Sequence, residues 1–140
     1  MFWSGFWLPF KHPVLMMKIA IAQDYSVMFA TPELAKKFLF AEGTDIKRIA
    51  GFVTRFGKES YRANLESLFN LPRPGKVRTR MLVLGADEDA LVSKRAIEKT
   101  ARAYNADLKC FPKMGHDLML EDGWKAAADH MIGWLAARVP

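Results

Sequence analysis

At 140 residues, 51% of them apolar, the chain is the size of one domain and carries enough apolar side chains to bury a core. Its net charge of +6 is shared evenly, +3 from residues 1–70 and +3 from 71–140. That excludes a basic arm, and the densest basic run (Arg73, Lys76, Arg78, Arg80) reads as a solvated linker, so nucleic-acid binding has no support. No run of about 18 apolar residues offers a transmembrane segment, and the lone Cys110, in the apolar run Leu108 to Phe111, fits a buried thiol in a reducing, cytoplasmic setting.

The opening, Met1 to Phe10, holds five of the 17 aromatic residues and no basic residue, so it does not match a secretory signal. Such a stretch suits a lipid interface or the lining of an apolar pocket. Pro9 and Pro13 break it, and Val14 to Ala22 is predicted as a short apolar helix. Thr31-Pro32-Glu33 is a helix start, with a capping hydroxyl, a proline in the first turn and an acid favoured by the dipole; that helix is expected to reach Phe40. Gly43-Thr44-Asp45 opens another, whose Ile46, Ile49, Ala50, Val53 and Phe56 form one stripe, with Gly57 at its end. A third runs from about Lys58 to Phe69, with Tyr61, Leu65, Leu68 and Phe69 as its apolar face. The prolines and glycine of residues 72–75 end this helical half.

The pattern then changes. Val77 to Leu84 is predicted as a strand buried on both faces, Ser93 as the cap of a helix to Tyr104, and Ala106 to Phe111 as a second strand. A loop from Pro112 to Asp122 leads to a last helix, capped by Asp122, with Trp124, Ala127, Ala128, Met131 and Leu135 on one stripe. Strand, helix, strand implies a right-handed crossover and parallel neighbours. The expected fold class is therefore α/β, a helical layer followed by two parallel strands with their helices.

Parallel neighbours open their following loops at the same end of the sheet, where open α/β sheets place their chemistry. Asp89 follows the first strand, and Gly115-His116-Asp117 lies after the second. A carboxylate that holds an imidazole in one tautomer and stabilises its cation lets histidine act as general base and acid. His12, before a proline, and His130, on the last helix, lack neighbours at metal-ligand spacing and read as structural. Asp117, Glu121 and Asp122 suggest a cation site, against which stands the capping role of Asp122. No metal and no cofactor is expected.

The runs Met81-Leu-Val-Leu-Gly-Ala-Asp-Glu-Asp-Ala-Leu-Val-Ser93 and Phe111-Pro-Lys-Met-Gly-His-Asp-Leu-Met-Leu-Glu-Asp-Gly-Trp124 resemble the C-terminal part of an α/β-hydrolase, nearest to lysophospholipase and monoacylglycerol-lipase-like esterases. The resemblance implies Asp89 as the triad acid, in preference to Asp87 or Glu88, because Asp89-Ala90-Leu91-Val92 matches the family's setting, and His116 as the triad histidine. It also implies residues 1–57 as a helical cap, residues 58–140 as the end of the hydrolase core, and an apolar, ester-like small molecule as substrate. The family's nucleophile elbow, Gly-x-Ser-x-Gly, is missing: no two glycines here stand four apart around a serine. The nucleophile, Ser or Asp, is then expected from a missing N-terminal half, encoded upstream of Met1 either in another frame or as a separate chain. Two further classes compete: a module that binds a lipid or a partner without catalysis, and an inactive remnant.

Overall fold

Among the described residues four helices precede the sheet: α1 (Pro13–Ala22), α2 (Pro32–Leu39), α3 (Ile46–Val53) and α4 (Tyr61–Phe69), with a 3-10 turn, Tyr25–Phe29, between the first two. The computed structural model describes residues 12–69 and 72–138, so the aromatic opening lies outside the described residues. The starts of α2 and α3 follow from a side chain next to each. Thr31 Oγ1 accepts the Leu34 amide at 3.3 Å, and Asp45 Oδ1 accepts the Lys47 amide at 3.0 Å, each satisfying a donor that the first turn leaves unpaired. Replacing Thr31 by Ala is expected to cost about 1 kcal/mol, read as a lower urea midpoint at unchanged slope.

Two boundaries differ from the sequence reading, each because a local bond intervenes. Helix α3 stops at Val53, short of Gly57, where the Arg55 amide turns back to Phe52 O (2.8 Å) and the Thr54 hydroxyl to Gly51 O (3.0 Å). Helix α4 begins at Tyr61 rather than Lys58, because the preceding residues join an antiparallel bridge: Tyr25 N donates to Glu59 O (3.3 Å) and Glu59 N to Asp24 Oδ1 (3.0 Å). Tyr61 stacks on Tyr25, with ring centroids 5.7 Å apart. The side chains of Leu68 and Phe69 lie outside the described residues. The helical layer closes on Ile19, Met28, Ala35, Phe38, Leu39, Phe40 and Ile49, and Leu91 and Leu120 from the second half pack against this cluster.

Strands β1 (Leu82–Ala86) and β2 (Asp107–Phe111) are parallel, in register from Leu82 opposite Asp107 to Ala86 opposite Phe111. Helix α5 (Lys94–Tyr104) crosses between them, capped by Ser93 as expected, and leaves through Asn105 at a φ of 48°. Strand β1 starts five residues later than predicted and runs two further. Its ladder closes where Asp107 N meets Met81 O (3.0 Å), and Val77, 43% exposed, lies beyond the partner strand. Nor is β1 buried on both faces: Leu82 to Leu84 are half-buried, and only Gly85 and Ala86 are buried. Gly85 marks the closest approach of α5, for a Cβ there would sit 2.8 Å from Ile97 Cδ1 and 3.2 Å from Cys110 Sγ. Cys110 is half-buried, not buried.

Helix α6 (Trp124–Ala136) corrects two expectations. Asp122 does not cap it; the residue before the helix is Gly123, and Asp122 pairs with Arg48. Of the predicted stripe only Ala127 is buried, while Trp124, Met131 and Leu135 are exposed. A two-stranded sheet is too narrow to cover a whole helix face. The described residues thus form a mixed α/β structure of six α-helices and a two-stranded parallel sheet, compatible with part of an α/β fold. Among them no helix is long and apolar enough to cross a membrane.

Candidate functional site

The carboxyl ends of β1 and β2 are laced together before any functional side chain is placed. Asp87 N donates to Phe111 O and Glu88 N to Met114 O, both at 3.0 Å, which sets the turn after β1 against the loop after β2. Asp89 then folds back on its own chain. Its Oδ1 accepts the amides of Leu91 and Val92, both at 2.8 Å. This leaves Oδ2 to face His116 Nδ1 at 2.9 Å. The Asp89 side chain is 7% exposed and that of His116 36%. Of the three acids after β1 only Asp89 meets the imidazole, since Asp87 pairs with Lys94 (3.5 Å) and Glu88 Oε2 accepts the Glu42 amide (3.0 Å).

The electrostatics follow from this geometry. Burial pushes the Asp89 carboxyl upward, but the hydrogen bond from His116, the amides of Val92 and Leu91, and attraction to the imidazolium together leave it below its ordinary value. The hydrogen bond to Asp89 raises His116 above its ordinary value against the opposing effect of burial, and the nearby charges of Asp89 and Asp117 add to the rise. Burial likewise raises Asp117. An imidazole bonded to carboxylate at Nδ1 keeps Nε2 for exchange of a proton with a ligand, the arrangement a general base needs.

The loop carrying His116 is held from the helical layer. Glu121 Oε1 accepts the amides of Ala41 (2.6 Å) and Gly115 (2.7 Å), its Oε2 accepts the Thr44 hydroxyl (2.7 Å), and Asp117 N donates to Leu39 O (3.0 Å). Glu121 is 2% exposed. The suggestion that Asp117, Glu121 and Asp122 share a cation is thereby corrected: Glu121 spends its oxygens on three donors, and Asp122 turns to Arg48. Among the described residues no group of three or more His, Cys, Asp or Glu side chains is placed to hold a metal. The holding role of Glu121 is invisible to motif reading, and its one signal in the sequence is an acid closing the apolar run Leu118-Met119-Leu120. His12 stands edge-on to Phe38 at 5.5 Å and His130 edge-on to Phe111 at 6.1 Å, both as packing residues.

His116 and Asp117 open on a cavity of about 410 Å³ between this loop and the helical layer. Tyr25, Met28, Phe29, Phe56 and Leu91 supply much of its apolar wall. Among the described residues that line it there is no serine, threonine or cysteine and no lysine or arginine; Glu59 and Asp117 are its carboxylates. A volume of this size takes a small organic molecule. The chain matches no protein-family model, no curated protein and no solved structure.

Proposed function

We propose that the chain is the acid–histidine portion of an α/β-hydrolase-like esterase, in which Asp89 orients His116 and His116 serves as general base and acid at an ester bond. The observation that carries this reading is the 2.9 Å contact between His116 Nδ1 and an Asp89 carboxylate already fixed by two amides, at the mouth of an apolar cavity. The substrate class is a small apolar ester without negative charge, because the described lining offers carboxylates and no lysine or arginine to balance an anion. The helical layer then acts as a cap over the site. The attacking hydroxyl comes from outside these 140 residues, since this sequence lacks a nucleophile elbow and no serine among the described residues lines the cavity. Strand β1 pairs only with β2 among the described residues, so its other edge is available to further strands of such a sheet.

Two measurements test it. A fluorophosphonate probe is expected to leave the purified chain unlabelled, because a histidine–aspartate pair activates nothing by itself; stoichiometric labelling of any serine would contradict the division of labour. Mixing the chain with a polypeptide that carries the strand–Gly-x-Ser-x-Gly–helix part of such a fold is expected to give hydrolysis of a neutral acyl ester that His116→Ala abolishes. No hydrolysis, or turnover indifferent to His116, sinks the proposal. The absence of serine, threonine and cysteine from the described lining favours one alternative, a module that binds a lipid-like ligand without turnover. Saturable binding of a labelled acyl ligand, with no hydrolysis by any pair, supports that reading instead.

A further inference from the structure

A buried carboxylate with no cationic partner demands an explanation, because taking it out of water is costly unless its lone pairs are filled. Glu121 is filled by groups that have one thing in common: they join the loop of His116 to the segment between α2 and α3. Gly115, whose amide it holds, is the residue directly before His116; Ala41 and Thr44 lie 80 and 77 positions away in sequence. On the far side of His116, the Asp117 amide is held at 3.0 Å by the O of Leu39, the last residue of α2, directly before that segment. The backbone of His116 is therefore gripped on both sides by one stretch of the helical layer. Asp89 is tied to the same loop through the Glu88–Met114 bond at 3.0 Å, and its neighbour Glu88 also reaches the helical layer, where its Oε2 accepts the Glu42 amide at 3.0 Å.

We infer that Glu121 is a positioning residue that sets the distance between His116 and Asp89, and so couples the acid–base pair to the helical layer above the cavity. This rests on the reading of Asp89 and His116 as a working pair. The contact it sets is short of tolerance: at 2.9 Å a displacement of about 1 Å takes Nδ1 and Oδ2 out of hydrogen-bonding range. What the site uses is the reach and acceptor geometry of Glu121, more than its charge. A glutamine keeps one oxygen for the two amides and turns its NH2 to the Thr44 hydroxyl, which accepts as well as donates. An aspartate, one methylene shorter, does not span Ala41, Thr44 and Gly115 together.

The test is the effect of Asp89→Asn on the titration of His116, followed by NMR of the imidazole in the full chain, in three backgrounds. In the wild-type background the substitution lowers the titration of His116. Glu121→Gln is expected to retain that drop. Glu121→Asp is expected to lose it, with His116 already titrating low and Asp89→Asn adding nothing. A merely structural Glu121 would reduce stability in Glu121→Asp and leave the drop intact, and that result overturns the inference. Should Glu121→Asp fail to fold, Thr44→Val removes one arm of the grip and keeps both amides; a reduced drop supports the inference and an unchanged one overturns it. A wild-type chain in which Asp89→Asn leaves His116 unmoved overturns it together with the pairing. No substrate enters the measurement, so failure to find ester turnover with any partner counts against the hydrolase reading alone.

Discussion

Gly115→Ala is expected to be the most damaging single-methyl change in the described chain. A Cβ at this position would lie 2.4 Å from the carbonyl carbon of Phe40 and 2.6 Å from Leu39 O. Both are backbone atoms at the C-terminal end of α2, a stretch that Glu121 and the Asp117 amide hold in place, so they have no free direction in which to yield. The loop must move instead. Overpacking of this kind costs about 1–3 kcal/mol, and each buried hydrogen bond lost with the shift leaves a donor or acceptor unpaired at about 1–3 kcal/mol. A total on the order of 3–5 kcal/mol is a large part of the 5–15 kcal/mol by which a domain is ordinarily stable. Urea denaturation measures it, with Gly57→Ala as the control, since no atom lies within 4 Å of a Cβ at Gly57. A Gly115→Ala chain with the wild-type midpoint would show that the His116 loop is not pressed against Phe40 in solution.

What the sequence makes legible here depends on how far each determinant lies from what it determines. Thr31 and Ser93 announce their helices because the donor each satisfies is three residues away. Asp89 and His116 are recognisable because each lies in the loop that follows a strand, and parallel strands bring their following loops to one end by topology alone. The start of β1 is not legible: Val77 to Met81 alternate with basic residues much as a strand does, and only the position of Asp107 on the neighbouring strand decides where pairing begins. The stripe on α6 has the right period, yet period does not say whether a surface exists to receive it. Glu121 is the hardest, because two of its three partners are 77 and 80 residues away, and nothing in its neighbourhood distinguishes a structural carboxylate from a ligand.

Asp89→Asn is expected to act through pH, and the two partners give it opposite signs at the two ends. His116 titrates above its ordinary 6.5 in the folded chain, so the stability it contributes is fully present below 6.5 and disappears as pH rises through the folded value. Asp89 titrates below its ordinary 3.8, so its contribution is present above 3.8 and is lost as pH falls through the folded value. The pair therefore stabilises most between about 4 and 6.5, with imidazolium facing carboxylate. Asparagine still accepts the Leu91 and Val92 amides, so the substitution removes the charge and little else. Within that window the loss should be about 1–2 kcal/mol, the lower part of the range for a charged hydrogen bond, because His116 is 36% exposed and water screens it. Asp117, raised mainly by burial, lowers stability as pH climbs from 3.8 through its own folded value; the effect of burial is common to both proteins, and the charges of His116 and Asp89 pull Asp117 in opposite directions. The measurement is the difference in unfolding free energy between wild type and Asp89→Asn, taken from pH 3 to pH 9. A bell centred between about 4 and 6.5 is the signature of the pair, whereas a difference flat across pH would mean that Asp89 supports its own turn and does not meet the imidazole.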